Sequence, residues 1–299
     1  MTDGKPLVSI GVPVYNEANY IHQTLDSLLA QDYQNFELII SDNASTDATQ
    51  QICLEYATRE PRIKYHRNKT NLGSVKNFNT LFELSSGTYF MWAGAHDRWE
   101  PNFISRCVEV LENEPSVVLC YTQAAWIGAD GRILEPILQH VDTRGLNKVA
   151  RAHILIWALS NNYMFMGLIR SGALKHTQLL PEIIGPEIVL LSQLSLYGTF
   201  AFIPELLFYL RRTEGHGRLD IQAEKLKRRV PKRWSVQIFY CEMVYHHLRV
   251  VRSLRFEGDS YIEKAMTILS IFLGILLKYR WIKRFPSLNR QNRGKTSPL

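Results

Sequence analysis

Two short runs near the N-terminus constrain the fold of this 299-residue chain more than any other feature. They read Val8-Ser-Ile-Gly-Val-Pro-Val-Tyr-Asn-Glu17 and Glu37-Leu-Ile-Ile-Ser-Asp-Asn-Ala-Ser-Thr-Asp47. In each run an apolar strand breaks into a polar loop, and a helical pattern follows the loop. This repeated order predicts a parallel α/β sheet, in which ligands bind outside the carboxyl ends of the strands.

The alternation of strands and helices continues to about residue 122. Predicted strands cover residues 7–12, 36–41, 63–66, 88–92 and 117–122, and predicted helices cover residues 19–31, 46–57, 74–84 and 101–112. Further along, the pattern predicts helices over residues 152–160 and 186–197 and a strand over residues 200–208. The sequence therefore indicates an α/β domain, which we place over residues 1–222.

The charge of the chain is unevenly distributed. Residues 205–299 contain 20 Lys and Arg against 8 Asp and Glu, whereas residues 1–204 contain 15 against 20. Residues 223–299 are accordingly predicted to form a basic helical region. Its apolar run over residues 265–277 is too short to span a bilayer. The run suits either a helix lying on an anionic membrane surface or a helix docked on the core or in a homodimer.

Targeting signals and cysteines indicate the cellular location of the protein. No signal peptide and no membrane span is predicted, and the four cysteines lack the spacing of a metal site. These features favour reduced thiols in the cytoplasm, with a peripheral position on the inner face of the cell membrane as the alternative. The apolar content of the basic region disfavours nucleic acid as a partner.

Four motifs in order carry a family resemblance. The two opening runs are followed by Asn71-Leu-Gly73 and by a stretch from Thr88 to Pro101 that contains Gly94-Ala-His-Asp97. Together they resemble the inverting family-2 glycosyltransferases over residues 7–210. The resemblance implies a GT-A fold, with a mixed, mostly parallel sheet flanked by helices around a Rossmann-like nucleotide-binding core. It also implies transfer of a sugar, favouring a UDP-sugar donor, to a hydroxyl acceptor with inversion.

The resemblance further implies a cellular role and a set of nucleotide-binding residues. The expected role is the synthesis of cell-surface polysaccharide or of a lipid-linked glycan. The implied nucleotide-binding residues are Pro13, Tyr15, Asn16, Glu17, Asp42, Asn71 and Gly73. Tyr15 would pack near the base, Glu17 would reach the base or the ribose, and Asp42 would accept a hydrogen bond from a ring N–H. Ser74 is expected to cap the following helix, and Lys76 is expected to be a solvated charge.

The metal motif departs from the family pattern. Where the family has an acidic cluster, this chain has Gly94-Ala-His-Asp97, with Asp97 as its carboxylate. The resemblance assigns Asp97 to a Mn²⁺ or Mg²⁺ ion that bridges to the diphosphate. His96 is either a second ligand, which suits Mn²⁺ better, or a residue that contacts a metal ligand or the ribose.

An inverting transferase needs a general base, and the resemblance implies Glu187 near the start of a late helix, with Glu182 as the rival. Arg211 or Arg212, together with His216, would close over the diphosphate.

The reduced acidic motif leaves a second class of function open, a non-catalytic member of the family that acts as a binding or scaffold protein. A Rossmann dehydrogenase is disfavoured because no G-x-G-x-x-G follows the first strand. A sugar nucleotidylyltransferase is disfavoured because residues 13–17 are neither glycine-rich nor basic.

Overall fold

The computed structural model describes residues 4–138, 140–158, 162–183 and 185–212, together with Tyr245, Leu269, Leu273 and Gly274. The predicted boundary at residue 222, the basic helical region and His216 lie outside these residues. Strands are β1 (Val8–Val14), β2 (Phe36–Asp42), β3 (Ile63–Arg67), β4 (Tyr89–Trp92), β5 (Arg98–Trp99), β6 (Val117–Ile127), β7 (Ile133–Pro136), β8 (Leu168–Arg170) and β9 (Thr199–Arg211). Helices are α1 (Ile21–Leu29), α2 (Thr49–Arg59), α3 (Ser74–Glu83), α4 (Phe103–Asn113), α5 (Lys148–Ala158), α6 (Ser171–Leu174) and α7 (Pro186–Tyr197), with a 3₁₀ helix over Asn162–Met166.

The strands form one mixed sheet in the order β3-β2-β1-β4-β8-β6-β9-β5, with β7 paired to β6. The first four strands in this order run parallel, and β4 then pairs antiparallel with β8. Because β1, β2 and β4 are neighbours and parallel, the loops that follow them meet at one edge of the sheet. The expected α/β architecture is confirmed.

Most predicted elements lie within a few residues of the observed ones, and the helix predicted over residues 186–197 begins and ends where expected. Three local predictions need correction. Strand β6 continues to Ile127, because its second half pairs with β9 and β7. Gly73, not Ser74, occupies the N-cap of α3, and no side chain caps that helix. Helix α4 begins at Phe103, two residues after Pro101.

Helix α3 packs unusually close to strand β1. A Cβ placed on Gly11 of β1 would lie 2.9 Å from Leu81 Cβ and 2.9 Å from Phe90 Cζ. Leu81 and Phe90 are fully buried, so neither side chain can move into solvent. The absence of a side chain at position 11 therefore sets the distance between α3 and the sheet.

Helix α7 is buried along its length, from Val189 to Leu196. Among the described residues, no helix is both long enough and apolar enough to cross a membrane. Cys53, Cys107 and Cys120 are buried free thiols, whereas Cys241 lies outside the described residues.

We expect Gly11→Ala to lower the free energy of unfolding by about 1–3 kcal/mol, because the added methyl overpacks the contact between α3 and β1. Urea denaturation measures the change. Gly172→Ala is the matched control, since a Cβ at position 172 meets no atom within 4 Å. An equal loss of stability in both variants would contradict this account of the packing.

Candidate active site at the carboxyl edge of the sheet

The loops that follow β1 and β2 are joined by hydrogen bonds. The backbone N–H of Asn16 donates to Ser45 Oγ at 3.0 Å, and Asn16 Oδ1 accepts from the N–H of Thr46 at 2.8 Å. The N–H of Glu17 donates to Thr49 Oγ1 at 2.8 Å. Asn16 has a φ of 57°, a left-handed conformation that asparagine tolerates better than most residues. The two loops therefore act as one unit, which fixes the course of the backbone beneath Tyr15.

Tyr15 stands at the surface of this unit, with 45% of its area exposed, and Pro13 beside it is partly buried. An exposed ring on a fixed backbone provides a flat apolar face at the strand ends. This placement is compatible with the expected packing of Tyr15 against a nucleobase.

Asp42, expected to contact the base, lies at the carboxyl end of β2. Its side chain is fully buried. Its carboxylate accepts hydrogen bonds from the Ser45 N–H at 2.8 Å, from the Tyr65 hydroxyl at 2.7 Å and from the Arg67 guanidinium. Arg67 is the register partner of Asp42 on β3, which explains the ion pair. In this conformation the carboxylate holds together the ends of β2 and β3.

An asparagine network positions the start of α3. Asn43 Nδ2 donates to Asn71 Oδ1 at 2.9 Å, and Asn43 Oδ1 accepts from the Leu72 N–H at 2.9 Å. Asn71 Oδ1 also accepts from the Gly73 N–H at 2.8 Å. These contacts tie the predicted Asn71–Gly73 loop to the end of β2 and place the N-terminus of α3 at the same edge of the sheet as Tyr15.

Asp97 lies in the turn after β4, and its carboxylate is almost completely buried. Oδ1 accepts a hydrogen bond from the Arg211 N–H at 2.8 Å, and no hydrogen bond from residues 4–212 as described reaches Oδ2. The carboxylate lies against Gly94, where any side chain would displace it. Burial raises the pKa of Asp97 from 3.8 to about 6, although the neighbouring charges of His96 and Arg211 oppose the shift.

His96 and Glu17 form a pair across the two loops. His96 Nδ1 lies 3.2 Å from Glu17 Oε1, and both side chains are about three-quarters buried. Burial opposes a charged imidazole, yet the net effect raises the pKa of His96, because of the hydrogen bond to Glu17 and the charges of Asp97 and Glu17. Glu17 thus faces the metal motif in this structure, whereas the sequence prediction directed it to the base or the ribose.

Arg211, one of two arginines expected at the diphosphate, is bonded to other protein groups in this structure. It is 1% exposed, and its guanidinium lies 4.6 Å from the centre of the Tyr20 ring. Its Nε donates to the His96 carbonyl at 2.8 Å, Nη1 donates to the carbonyls of Gly128 and Ala129, and Nη2 donates to Gln23 Oε1. Four of the five N–H donors of the guanidinium are thereby used within the protein. Arg211 holds the metal-motif turn in place and is not a free cation.

The remaining predicted residues lie on other elements. Glu187 is in the first turn of α7, partly buried, after the left-handed Gly185. Its rival Glu182 is exposed and lies 3.7 Å from the Lys76 ammonium group, which is itself solvated as predicted. Arg212 is exposed, lies over the Trp126 ring and pairs with Glu135.

Sequence reasoning missed the residues that join the loops. These are Ser45, Thr46 and Thr49 after β2, and Gln23 on α1. The signal for the first three was the density of small hydroxyl residues after Asp42, which favours side-chain bonds to backbone groups. Nothing in the sequence marks Gln23, because its contact depends on a strand almost 190 positions away.

We predict that Arg211→Lys lowers the free energy of unfolding of the ligand-free protein by about 3 kcal/mol, because a lysine cannot replace the buried guanidinium that pairs with the carbonyls of His96, Gly128 and Ala129. Thermal and urea unfolding measure the loss. Arg212→Lys is the control, because Arg212 is exposed. Wild-type stability in Arg211→Lys would show that the buried guanidinium does not hold the turn.

The raised pKa of Asp97 predicts a pH dependence of stability. Between pH 4 and pH 6 the folded protein keeps a proton on Asp97 that the unfolded chain has lost. The free energy of unfolding contributed by this group therefore falls as the pH rises through that range. Urea unfolding in the presence of a chelator, with Asp97→Asn as reference, isolates the effect. A constant difference between the two proteins from pH 4 to pH 7 would contradict the assignment.

Comparison with known proteins places this site in a family. A profile described as Glycosyl transferase family 2 matches residues 9–177, more than half of the chain. A putative teichuronic acid biosynthesis glycosyltransferase, TuaG of Bacillus subtilis, is 31% identical over 138 residues, which cover 46% of this chain and 54% of that protein. An uncharacterized glycosyltransferase of Haemophilus influenzae is 25% identical over 284 residues, which cover 90% of this chain and 84% of that protein.

Other relatives match over less of their length. The match to an uncharacterized glycosyltransferase of Rickettsia typhi, at 36% identity, covers 38% of this chain and about a third of that protein.

Two solved structures share the fold. S. aureus TarS 1–349 in complex with UDP-GlcNAc gives a TM-score of 0.57 at 20% identity, covering 88% of this chain and 79% of that one. The mannosyltransferase PcManGT from Pyrobaculum calidifontis, in complex with GDP-Man and Mn²⁺, gives a TM-score of 0.59 at 16% identity. The match covers 100% of this chain and 78% of that one. With the profile match, the shared GT-A fold and the joined loops at the sheet edge, this chain belongs to glycosyltransferase family 2.

Proposed function

We propose that this chain transfers a sugar from a UDP-sugar to a hydroxyl acceptor with inversion at the anomeric carbon. The observation that carries the proposal is the convergence of Tyr15, the Glu17–His96 pair, Asp97 and the start of α3 at one edge of the sheet. An aromatic face, a buried carboxylate and a helix N-terminus suit the base and the diphosphate of a nucleotide. The UDP-GlcNAc complex of TarS supports the choice of donor.

The residues present fit a divalent cation, with Mn²⁺ favoured over Mg²⁺. Asp97 Oδ2 is one ligand, and it has no hydrogen-bond donor in the described part of the chain. His96 is the second, because a histidine that binds a metal commonly donates its other N–H to a carboxylate, as Nδ1 is placed to do toward Glu17. Among the described residues no group of three or more His, Cys, Asp or Glu side chains could hold a metal. The diphosphate must therefore supply further oxygens. When bound, the cation supplies positive charge against the diphosphate.

Other groups of the chain bind the nucleotide and accept the proton of the acceptor. Tyr15 packs against the base, and the N-terminus of α3 faces the diphosphate with its unpaired backbone N–H groups. Glu187 accepts the proton of the acceptor hydroxyl as that oxygen attacks the anomeric carbon. Its place in the first turn of α7 favours the ionised carboxylate, because the helix dipole stabilises negative charge there.

The acceptor we propose is a growing cell-surface polysaccharide or a lipid-linked glycan. The named role of the Bacillus subtilis relative in teichuronic acid biosynthesis supports this class of acceptor. A peripheral membrane position for the basic residues 223–299 fits a lipid-linked acceptor, and their excess of Lys and Arg is suited to an anionic surface.

The test is donor turnover in the presence of Mn²⁺. We expect wild-type protein to release UDP from a UDP-sugar by slow transfer of the sugar to water in place of the acceptor hydroxyl, assayed across UDP-glucose, UDP-galactose and UDP-GlcNAc. Glu187→Gln is expected to lose about a hundredfold or more of that rate while binding UDP normally, because only the base is removed. Glu182→Gln is the matched control and is expected to keep the wild-type rate. Loss of turnover in Glu182→Gln but not in Glu187→Gln would move the base to Glu182.

A scaffold function is the second candidate, favoured by the small number of metal ligands at the site. It predicts no UDP release by wild-type protein with any of the three donors.

A further inference from the structure

Asn79 on α3 is bonded twice to the backbone of one distant residue. Its Nδ2 donates to the Leu180 carbonyl at 2.9 Å, and its Oδ1 accepts from the Leu180 N–H at 3.1 Å. The two residues are 101 positions apart in the sequence. A side-chain amide that pairs with both backbone groups of one residue imitates a pair of strand hydrogen bonds. It therefore fixes the position and the orientation of the backbone at Leu180.

Leu180 belongs to the segment that leads into α7. Leu179 has a φ of 55°, and Gly185 has a φ of 67°, so the backbone turns sharply on both sides of Leu180. The N–H of Gln178 donates to Gln193 Oε1 of α7 at 2.9 Å. Leu180 and Ile183 are buried. The segment is thus held from α7 on one side and from α3 on the other. Asn79 of α3 makes the two hydrogen bonds to Leu180, and Lys76 of α3 forms an exposed ion pair with Glu182.

The two ends of this contact belong to different parts of the site. Helix α3 begins at the asparagine network of the nucleotide edge, and α7 carries Glu187 in its first turn. Because α7 is buried along its length, it cannot shift freely to correct a displaced start.

We propose that Asn79 is a positioning residue that sets Glu187 relative to the nucleotide bound at α3. The assignment rests on the proposed function, in which Glu187 is the base. Loss of the Asn79 pair would leave nucleotide binding intact and move the carboxylate away from the acceptor oxygen. A displacement of about 1 Å at a reacting group costs up to a hundredfold in rate.

The experiment compares UDP affinity, by calorimetry, with the kcat and KM of UDP release from the best of the three donors. We expect Asn79→Ala to lower kcat by tenfold to a hundredfold, with donor KM and UDP affinity within twofold of wild type. Asn79→Asp keeps the acceptor for the Leu180 N–H but loses the donor to the Leu180 carbonyl, so its kcat is expected to lie between those of the wild type and Asn79→Ala. This variant replaces Asn79→Ala in the test if Asn79→Ala does not fold. Thr80→Ala is the matched control, because the Thr80 hydroxyl donates to the Lys76 carbonyl within the same helix.

The outcomes distinguish the positioning role of Asn79 from the proposed role of Glu187 as the base. Full turnover in the Asn79 variants, alongside an inactive Glu187→Gln, would overturn the positioning role and leave the proposed function standing. An equal loss of UDP affinity and kcat would place Asn79 in the nucleotide site instead and also overturn it. Full turnover in Glu187→Gln would overturn the proposed base itself.

Discussion

The buried guanidinium of Arg211 is the interaction on which the geometry of the site depends. It bonds to the His96 carbonyl, to the two carbonyls after β6 and to Gln23 of α1, and the backbone of the same residue bonds to Asp97. The end of β9 is thereby tied to the turn that carries the metal motif. Because a buried charge without partners is strongly unfavourable, these contacts leave the turn little freedom to move.

The other residues of the site are positioned by their contacts with this turn. Asp97 is held with Oδ1 on a backbone N–H, and the missing side chain at Gly94 leaves room for the carboxylate. His96 reaches Glu17, which is itself fixed by the bonds between the loops after β1 and β2. In the proposed site a single carboxylate can serve because its position, its hydrogen bond from the Arg211 N–H and its burial are set before any ligand arrives.

The sequence predicted the fold, whereas the protein partners of the individual charges came only from the structure. The periodicity of apolar residues predicts the alternating strands and helices. It therefore also predicts that Tyr15 and Asp97 lie in loops that follow strands. Asp42, Glu17 and Arg211 were assigned to a ligand because they are charged residues at the expected edge. In the structure each pairs with another protein group, Asp42 with Arg67, Glu17 with His96 and Arg211 with backbone carbonyls. Such pairing depends on register and on contacts between distant segments, which periodicity does not contain. The Asn79–Leu180 pair could not be predicted from the sequence for the same reason.

In the function proposed above, one carboxylate, Asp97, together with His96, forms a metal-assisted nucleotide site. The most direct measurement is a calorimetric titration of the wild-type protein and of Asp97→Asn with UDP, with and without Mn²⁺. The account predicts that Mn²⁺ tightens UDP binding to the wild-type protein by at least about tenfold and has no such effect on Asp97→Asn. UDP affinity that is independent of Mn²⁺ in the wild-type protein, or an equal Mn²⁺ effect in both proteins, would contradict it.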